Sequence, residues 1–206
     1  MDDTTFRWVN HLADRTTWLH GAATGFAVWG IALSALLLLV AWWDARSADE
    51  PEVAVAAVAW AGAAALVGAV AVQLIGAPID RARPTVMLHG THLLLDRTTD
   101  FSFPSDHGTA TAAIAFGLLL ASRRLRHRWY GWAALAVALV MDLTRVYVGA
   151  HYPTDVIAGL ALGALVALVL ARPAIALLTW ISTRVAASPL RPLVSAQAQQ
   201  TGHSLD

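Results

Sequence analysis

The chain has no cysteine and no lysine among its 206 residues, and only 14% of its residues are charged. The absence of cysteine excludes disulfide bonds, thiolate metal sites and thiol catalysis. The formal net charge is zero, so no long-range field attracts nucleic acid. An ordinary soluble domain is about 25% charged, whereas 57% of this chain is hydrophobic. The composition therefore indicates a membrane protein of one compact domain.

Apolar runs divide the chain into candidate membrane helices. About 20 helical residues cross a hydrocarbon core, and the runs of suitable composition are residues 20–43, 53–76, 107–121, 129–148 and 154–170. A further apolar run, residues 174–187, is short and follows Pro173, so it is either a kinked continuation or an interfacial helix. Residues 1–19 have helical apolar spacing without the pattern of a cleavable signal peptide, which favours an interfacial amphipathic helix. We expect an all-α integral membrane helical bundle of five to six helices plus this N-terminal helix.

The sequence also predicts the domain limits and the topology. Residues 1–187 are expected to form the single membrane-embedded domain, and residues 188–206 a disordered cytoplasmic tail rich in serine, proline and glutamine. The loop 122–128 contains four arginines and is expected to be cytoplasmic, since positive residues stay on that side. The loops at the opposite ends of the helices, 77–106 and 145–153, would then meet on the extracytoplasmic face.

Ionisable residues concentrate in these opposite loops, although charged groups are costly near hydrocarbon. The candidate residues are Arg81, Arg83, Ser105, His107, Arg145, His151 and Asp155. Guanidinium groups and helix-start N–H groups suit an anionic phosphate. Two histidines allow one imidazole to attack phosphorus while the other protonates the leaving oxygen. Asp155, four residues after His151, is expected to accept the Nδ1 proton and leave Nε2 free to attack. Arginines can neutralise the phosphoryl oxygens, so neither a metal nor another cofactor is expected.

Three short motifs lie in these loops in a fixed order. They read Gly76-x6-Arg83-Pro84, Pro104-Ser105-Asp106-His107 and Thr144-Arg145-x5-His151-x3-Asp155. The pattern resembles the type 2 phosphatidic acid phosphatase superfamily, whose motifs are Lys-x6-Arg-Pro, Pro-Ser-Gly-His and Ser-Arg-x5-His-x3-Asp. The resemblance covers roughly residues 5–170. The Pro-Ser-Asp-His variant is similar to the bacterial undecaprenyl-pyrophosphate phosphatases of that superfamily.

The resemblance implies a role for each matching residue. His151 would be the nucleophile with Asp155 as its partner, and His107 would be the general acid. Phosphate would be bound by Arg83, Arg145 and Ser105. The family's lysine position holds Gly76, and Arg81 is the nearby cation that could replace it. Asp106 stands where the family has glycine, and could repel phosphate or favour the protonated form of His107.

Alternative roles remain open for some of these residues. Arg81 is either a phosphate ligand or a structural partner of Asp80 or Asp96. Arg145 could be an interfacial arginine paired with Asp142, one helical turn earlier. The pair His89 and His92 resembles two metal ligands but has no third ligand at a clear spacing. Glycines 159 and 163 suit close helix packing, either within the bundle or between two chains.

The functional expectation is a multi-pass cell-membrane phosphatase with an extracytoplasmic active site. It would act through a phosphohistidine and convert a polyprenyl pyrophosphate of the undecaprenyl type to the monophosphate. One alternative is a phosphatase for phosphatidate, phosphatidylglycerophosphate or another lipid phosphate. A second is a non-catalytic membrane protein with a degraded site, for which the missing lysine is the best support. The expected partners are the lipid phosphate and the bilayer, with no nucleic acid; the oligomeric state is left open.

Overall fold

A computed structural model describes residues 2–96, 98 and 100–196, and this part of the chain is helical, without β-strands. The helices are α1 (Asp2–Arg15), α2 (His20–Ala45), α3 (Pro51–Ile79), α4 (Pro84–Met87), α5 (Asp106–Ala121), α6 (Trp129–Tyr147), α7 (Pro153–Val169) and α8 (Ala171–Ala186). Short 3₁₀ turns at Thr17–Leu19 and Arg191–Leu193 complete the set. The five long apolar runs therefore form helices whose ends lie within a few residues of the predicted ones.

Helix α5 lies at the centre of the bundle, against α3, α6 and α7. Close packing around it depends on small residues. A β-carbon at Gly117 would lie 2.5 Å from Cα of Ala61 in α3, and one at Gly163 in α7 would overlap the carbonyl oxygen of Thr109. The glycine pattern of α7 is therefore used for packing within the bundle.

The outer surface of the bundle is apolar, as a membrane requires. Large side chains project from α2 and α3 into the surroundings, among them Trp29, Leu36, Leu66 and Leu74. Two helical stretches in the described residues, Thr17–Ala45 and Pro51–Met87, are long and apolar enough to cross a membrane, and α7 with α8, bent by 56°, make a third if they count as one span. Helices α5 and α6, with 16 and 19 residues, are not among the stretches that meet this requirement for length and apolar composition. The all-helical membrane bundle predicted from the sequence is confirmed.

The two ends of the bundle differ in chemistry. One end carries the arginine loop 122–128 and the segment 188–196, which was predicted to begin a disordered tail. In the structure, this segment instead packs against the end of α2. The indole N–H of Trp42 donates to the carbonyl of Leu193, and the N–H of Ala196 donates to the carbonyl of Arg46. The rest of the predicted tail, residues 197–206, lies outside the described residues.

The other end gathers all three motifs. It contains the end of α3, the loop 80–105, the start of α5, the end of α6 and the start of α7. Helix α1 packs on this end through the buried Phe6, whose ring lies 5.7 Å from that of Tyr152 and which forms an apolar cluster with Tyr152, Val146 and Val156. Asn10 fixes α1 further, since its side-chain amide exchanges two hydrogen bonds with the backbone of His92, at 2.8 and 2.9 Å. The N-terminal helix therefore adjoins the motif residues.

Candidate active site

His151 lies in the turn between α6 and α7 and is 1% exposed. Gly149, at φ +84°, turns the chain after α6 in a conformation that favours glycine. The Nε2 atom of His151 is 3.3 Å from Nη1 of Arg83 and 3.3 Å from Nη2 of Arg145. Guanidinium groups can only donate hydrogen bonds, so these contacts need a lone pair on Nε2. The surroundings therefore favour the tautomer with the proton on Nδ1 and a nucleophilic Nε2.

The partner of the Nδ1 proton differs from the predicted one. Nδ1 is 2.8 Å from the carbonyl oxygen of Ser102, whereas the nearest carboxylate oxygen of Asp155 is 3.8 Å away. The longer distance is an electrostatic contact rather than a hydrogen bond. The carbonyl of Ser102, in the loop before α5, is therefore the hydrogen-bond partner of Nδ1. The Asp155 carboxylate lies farther from Nδ1 and is fully buried.

Asp155 is enclosed by hydrogen-bond donors at the start of α7. Its Oδ2 accepts from the hydroxyl of Ser102 at 2.5 Å and from the N–H of Tyr152 at 2.9 Å. Its Oδ1 accepts from Nη1 of Arg81 at 2.5 Å. A carboxylate in the first turn is also favoured by the positive end of the helix dipole. Asp155 is therefore held in one orientation beside His151.

Arg81 is occupied by carboxylates that the sequence did not suggest. Besides Asp155, its guanidinium binds Asp2 of α1 at 2.6 Å and lies 4.1 Å from the centre of the Tyr152 ring. Within the described part of the chain, the ion pairs of Arg81 do not include the predicted alternatives Asp80 and Asp96. Arg81 borders the cavity described below, and its N–H groups bind the carboxylates of Asp155 and Asp2.

The place of the family lysine is filled by an aromatic ring. A β-carbon at Gly76 would overlap the side chain of Phe101. Because glycine has no β-carbon, the ring can pack directly on the backbone of α3. The glycine that replaces the family lysine at position 76 therefore makes room for Phe101, a residue in the loop before α5.

Two arginines converge on His151 from different segments. Arg83 and Arg145 are both 8% exposed. Arg83 also donates to the carbonyl of Ala150 at 2.9 Å and pairs with Asp100 at 3.1 Å. Nε of Arg145 is buried without a partner; the hydrogen bonds and ion pairs of the described residues include none between Arg145 and Asp142. Arg145 is therefore directed to Nε2 of His151 and has a free donor.

The start of α5 brings His107 to the same place. Asp106 accepts hydrogen bonds from the backbone N–H of His107 at 2.8 Å and from its ring Nδ1 at 2.9 Å. An Oδ1 atom of Asp106 lies 3.9 Å from Nε2 of His151, so this carboxylate stands between the two histidines. Ser105 was predicted to bind phosphate, but its side chain is fully buried and caps α5 by accepting from the N–H of Gly108.

A cavity of about 760 Å³ borders Arg83, Asp106, His107 and Arg145. Its lining includes the further charged residues Asp80, Arg81, Asp96 and Asp100 and the apolar residues Ala27, Val28, Val86, Leu93, Leu95 and Phe101. A lining that combines charged and apolar side chains suits a ligand with an anionic head and a hydrocarbon chain. Within the described residues there is no group of three potential metal ligands, and His92 instead faces Asp14 at 3.4 Å.

Burial lowers the pKa of the His151 imidazole below its ordinary value. The positive charges of Arg145 and Arg83 lower it further, against the opposing effect of Asp155. The pKa of Asp100, outside the helices, is also lowered: burial raises it, but hydrogen bonding and the charge of Arg83 outweigh that effect. At neutral pH the site therefore presents a neutral imidazole facing two cations.

The chain is similar to several phosphatases of known sequence or structure. The chain is 29% identical over 161 residues to undecaprenyl-diphosphatase BcrC of Bacillus subtilis, which covers 78% of each protein. Its fold is similar to the crystal structure of Aquifex aeolicus LpxE, with a TM-score of 0.60, 22% identity and coverage of 81% of this chain and 92% of that one. It is also similar to a PAP2-type phosphatidylglycerolphosphate phosphatase from Bacillus subtilis, with a TM-score of 0.56, 20% identity and coverage of 89% and 85%.

The family match covers the helices that form the site. Residues 57–177 match the PAP2 superfamily, a segment that runs from α3 into α8 and includes all three motifs. The resemblance seen in the motifs is thereby confirmed, and the chain belongs to the PAP2 superfamily of membrane phosphatases.

Proposed function

We propose that this protein hydrolyses a polyprenyl pyrophosphate of the undecaprenyl type to the monophosphate and inorganic phosphate. The family makes it a hydrolase of lipid phosphates. The observation that carries the catalytic assignment is the position of Nε2 of His151, 3.3 Å from each of two guanidinium groups. A terminal phosphoryl group that replaces these contacts would be gripped by Arg83 and Arg145 with the nucleophile at its phosphorus.

The reaction proceeds in two steps. The lone pair on Nε2 of His151 attacks phosphorus, the bond to the bridging oxygen breaks, and that oxygen takes a proton from His107. His107 then removes a proton from water, and the resulting hydroxide breaks the P–N bond and releases phosphate. Asp155 and the carbonyl of Ser102 stabilise the positive ring of the phosphohistidine. Asp106 orients His107 through Nδ1, which leaves Nε2 of that ring for proton transfer.

The preference for a polyprenyl pyrophosphate is supported by the match to undecaprenyl-diphosphatase BcrC over 78% of both chains and by the apolar residues in the cavity lining. The fold is also similar to that of a phosphatidylglycerolphosphate phosphatase, so other lipid phosphates are the second candidate class of substrate. The intact site argues against a non-catalytic carrier, since both arginines and both histidines converge despite the missing lysine. We place the active site on the extracytoplasmic face, because the arginine loop 122–128 lies at the opposite end of the bundle.

The test is phosphate release by the purified chain in detergent from a panel that contains undecaprenyl pyrophosphate, phosphatidate and phosphatidylglycerophosphate. We expect the pyrophosphate to give the largest kcat/KM. His151→Ala should abolish turnover, and a ³²P-labelled substrate should leave acid-labile label on the wild type alone. EDTA should leave the rate unchanged. Strong inhibition by EDTA that magnesium reverses would refute the metal-free mechanism, and a larger kcat/KM for phosphatidate would refute the substrate assignment.

A further inference from the structure

Ser102 lies in the loop before α5, two residues ahead of Pro104, and is fully buried. It connects three parts of the site. Its carbonyl is 2.8 Å from Nδ1 of His151, its hydroxyl donates to Oδ2 of Asp155 at 2.5 Å, and its N–H donates to the carbonyl of Arg81 at 2.7 Å. One residue thus touches both members of the histidine–aspartate pair.

The distance between His151 and Asp155 shows why the two contacts of Ser102 are important for their geometry. Nδ1 of His151 and Oδ2 of Asp155 are 3.8 Å apart, too far for a direct hydrogen bond. The imidazole is oriented by the carbonyl of Ser102, and the carboxylate is oriented by its hydroxyl. The geometry of the pair therefore depends on a residue outside all three motifs.

We propose that Ser102 is a positioning residue for the reaction, which keeps the Asp155 carboxylate facing the His151 imidazole through its hydroxyl group. The inference rests on the proposed function, in which His151 is the nucleophile. Ser102 is fully buried and contacts His151, Asp155 and Arg81, so we expect its effect to come through the orientation of Asp155 rather than through contact with the substrate.

Removal of the hydroxyl should have a specific effect. In Ser102→Ala, Oδ2 of Asp155 keeps only the N–H of Tyr152, while Oδ1 keeps Arg81. The carboxylate can then turn away from the imidazole. Small displacements in a reacting array cost up to about a hundredfold in rate, so we expect kcat to fall by about ten- to a hundredfold. KM should change by no more than about twofold, because an interaction that acts only in the transition state leaves substrate binding unchanged.

The experiment compares Ser102→Ala, Asp155→Asn and the double variant as full chains in detergent, with undecaprenyl pyrophosphate as substrate. If Ser102 acts through Asp155, adding Ser102→Ala to Asp155→Asn should lower kcat by no more than about twofold further. Ser34→Ala is the matched control, since Ser34 is a fully buried serine of α2 whose hydroxyl has no partner. It should retain wild-type kcat and KM. Ser102→Cys, a similar volume with a weaker donor, covers the case in which the alanine variant fails to fold and should give an intermediate kcat.

A second readout does not require turnover. Orthovanadate is a phosphate-sized oxyanion that can bond to an imidazole nitrogen, and Ser102→Ala should weaken its binding by about tenfold. Additive losses in the double variant, a change confined to KM, an equal loss in Ser34→Ala or unchanged vanadate binding would overturn the inference. No vanadate binding by the wild type would overturn it as well. If the wild type binds vanadate and Ser102→Ala weakens it, but no lipid phosphate is hydrolysed, the inference stands and the proposed function fails.

Discussion

Replacement of Arg81 by alanine separates two roles for the nearest cation to the missing lysine. If Arg81 bound phosphate, the variant would chiefly raise KM. The structure instead pairs it with Asp2 and with Asp155, at 2.6 and 2.5 Å. We therefore expect a loss of stability and of kcat, with KM changed by no more than about twofold.

The magnitude follows from the burial of the two partners. Asp155 is fully buried, while the Arg81 side chain is 29% exposed. Breaking a fully buried ion pair costs about 3–5 kcal/mol, and the partial exposure of Arg81 reduces this to about 2–3 kcal/mol. For a chain of this size each kcal/mol shifts Tm by about 2–4 °C, so Tm should fall by about 4–12 °C. The less constrained carboxylate should also lower kcat by about tenfold.

Asp2→Asn is the matched control, because it neutralises the outer partner of the same guanidinium. Asp2 also accepts hydrogen bonds from the N–H and the hydroxyl of Thr154, and the amide oxygen of asparagine can still accept one of them. Both side chains of the Arg81–Asp2 pair are partly exposed, at 29% and 20%, so the cost should stay below about 1 kcal/mol. Thermal unfolding in detergent and steady-state phosphate release are the assays. An Arg81→Ala variant with wild-type Tm and kcat but a tenfold higher KM would refute this reasoning and restore Arg81 as a phosphate ligand.

Two further predictions concern pH and helix packing. Burial and two guanidinium groups lower the pKa of His151, so its imidazole stays neutral to a lower pH than usual. The acid limb of the kcat/KM profile should therefore lie below pH 6.5, the ordinary pKa of histidine. An acid limb above pH 7 in the wild type that other variants do not show would contradict this. Gly163→Ala should destabilise the bundle by about 1–3 kcal/mol, because its methyl group would overlap the carbonyl of Thr109 in α5. Gly21→Ala, with nothing within 4 Å of its β-carbon, should leave Tm unchanged or raise it, as circular dichroism melts would show.

Local features of the sequence predicted the helices and half of the site. Runs of apolar residues predicted the helix ends, because a segment within hydrocarbon must form all of its backbone hydrogen bonds internally and is therefore helical over its whole length. The spacing from Arg145 to Asp155 predicted that these residues lie together, since the segment is one helix end, a turn and one helix start. Arg83 and His107 were placed at the same end by counting spans. The three motifs therefore predicted that these residues share one end of the bundle.

Long-range contacts could not be predicted in the same way. Asp2 meets Arg81 across 79 positions and Ser102 meets Asp155 across 53, and no periodicity marks such pairs. Ser102 is a common polar residue in a loop, with nothing in its neighbours to indicate a buried hydroxyl. The motif predicted that Ser105 binds phosphate, but its hydroxyl instead caps helix α5 by accepting the N–H of Gly108. The sequence did not indicate this local hydrogen bond.

The ring of Phe101 against Gly76 has an evolutionary consequence. A lysine at position 76 would collide with that ring, so the lysine of the family motif cannot be introduced by a single substitution at that position. A smaller residue at position 101 would have to come first or together with it, and alone would leave a void beside α3. We therefore expect the effects of substitutions at positions 76 and 101 to depend on each other, and any exchange of this motif between relatives should transfer both residues as one unit.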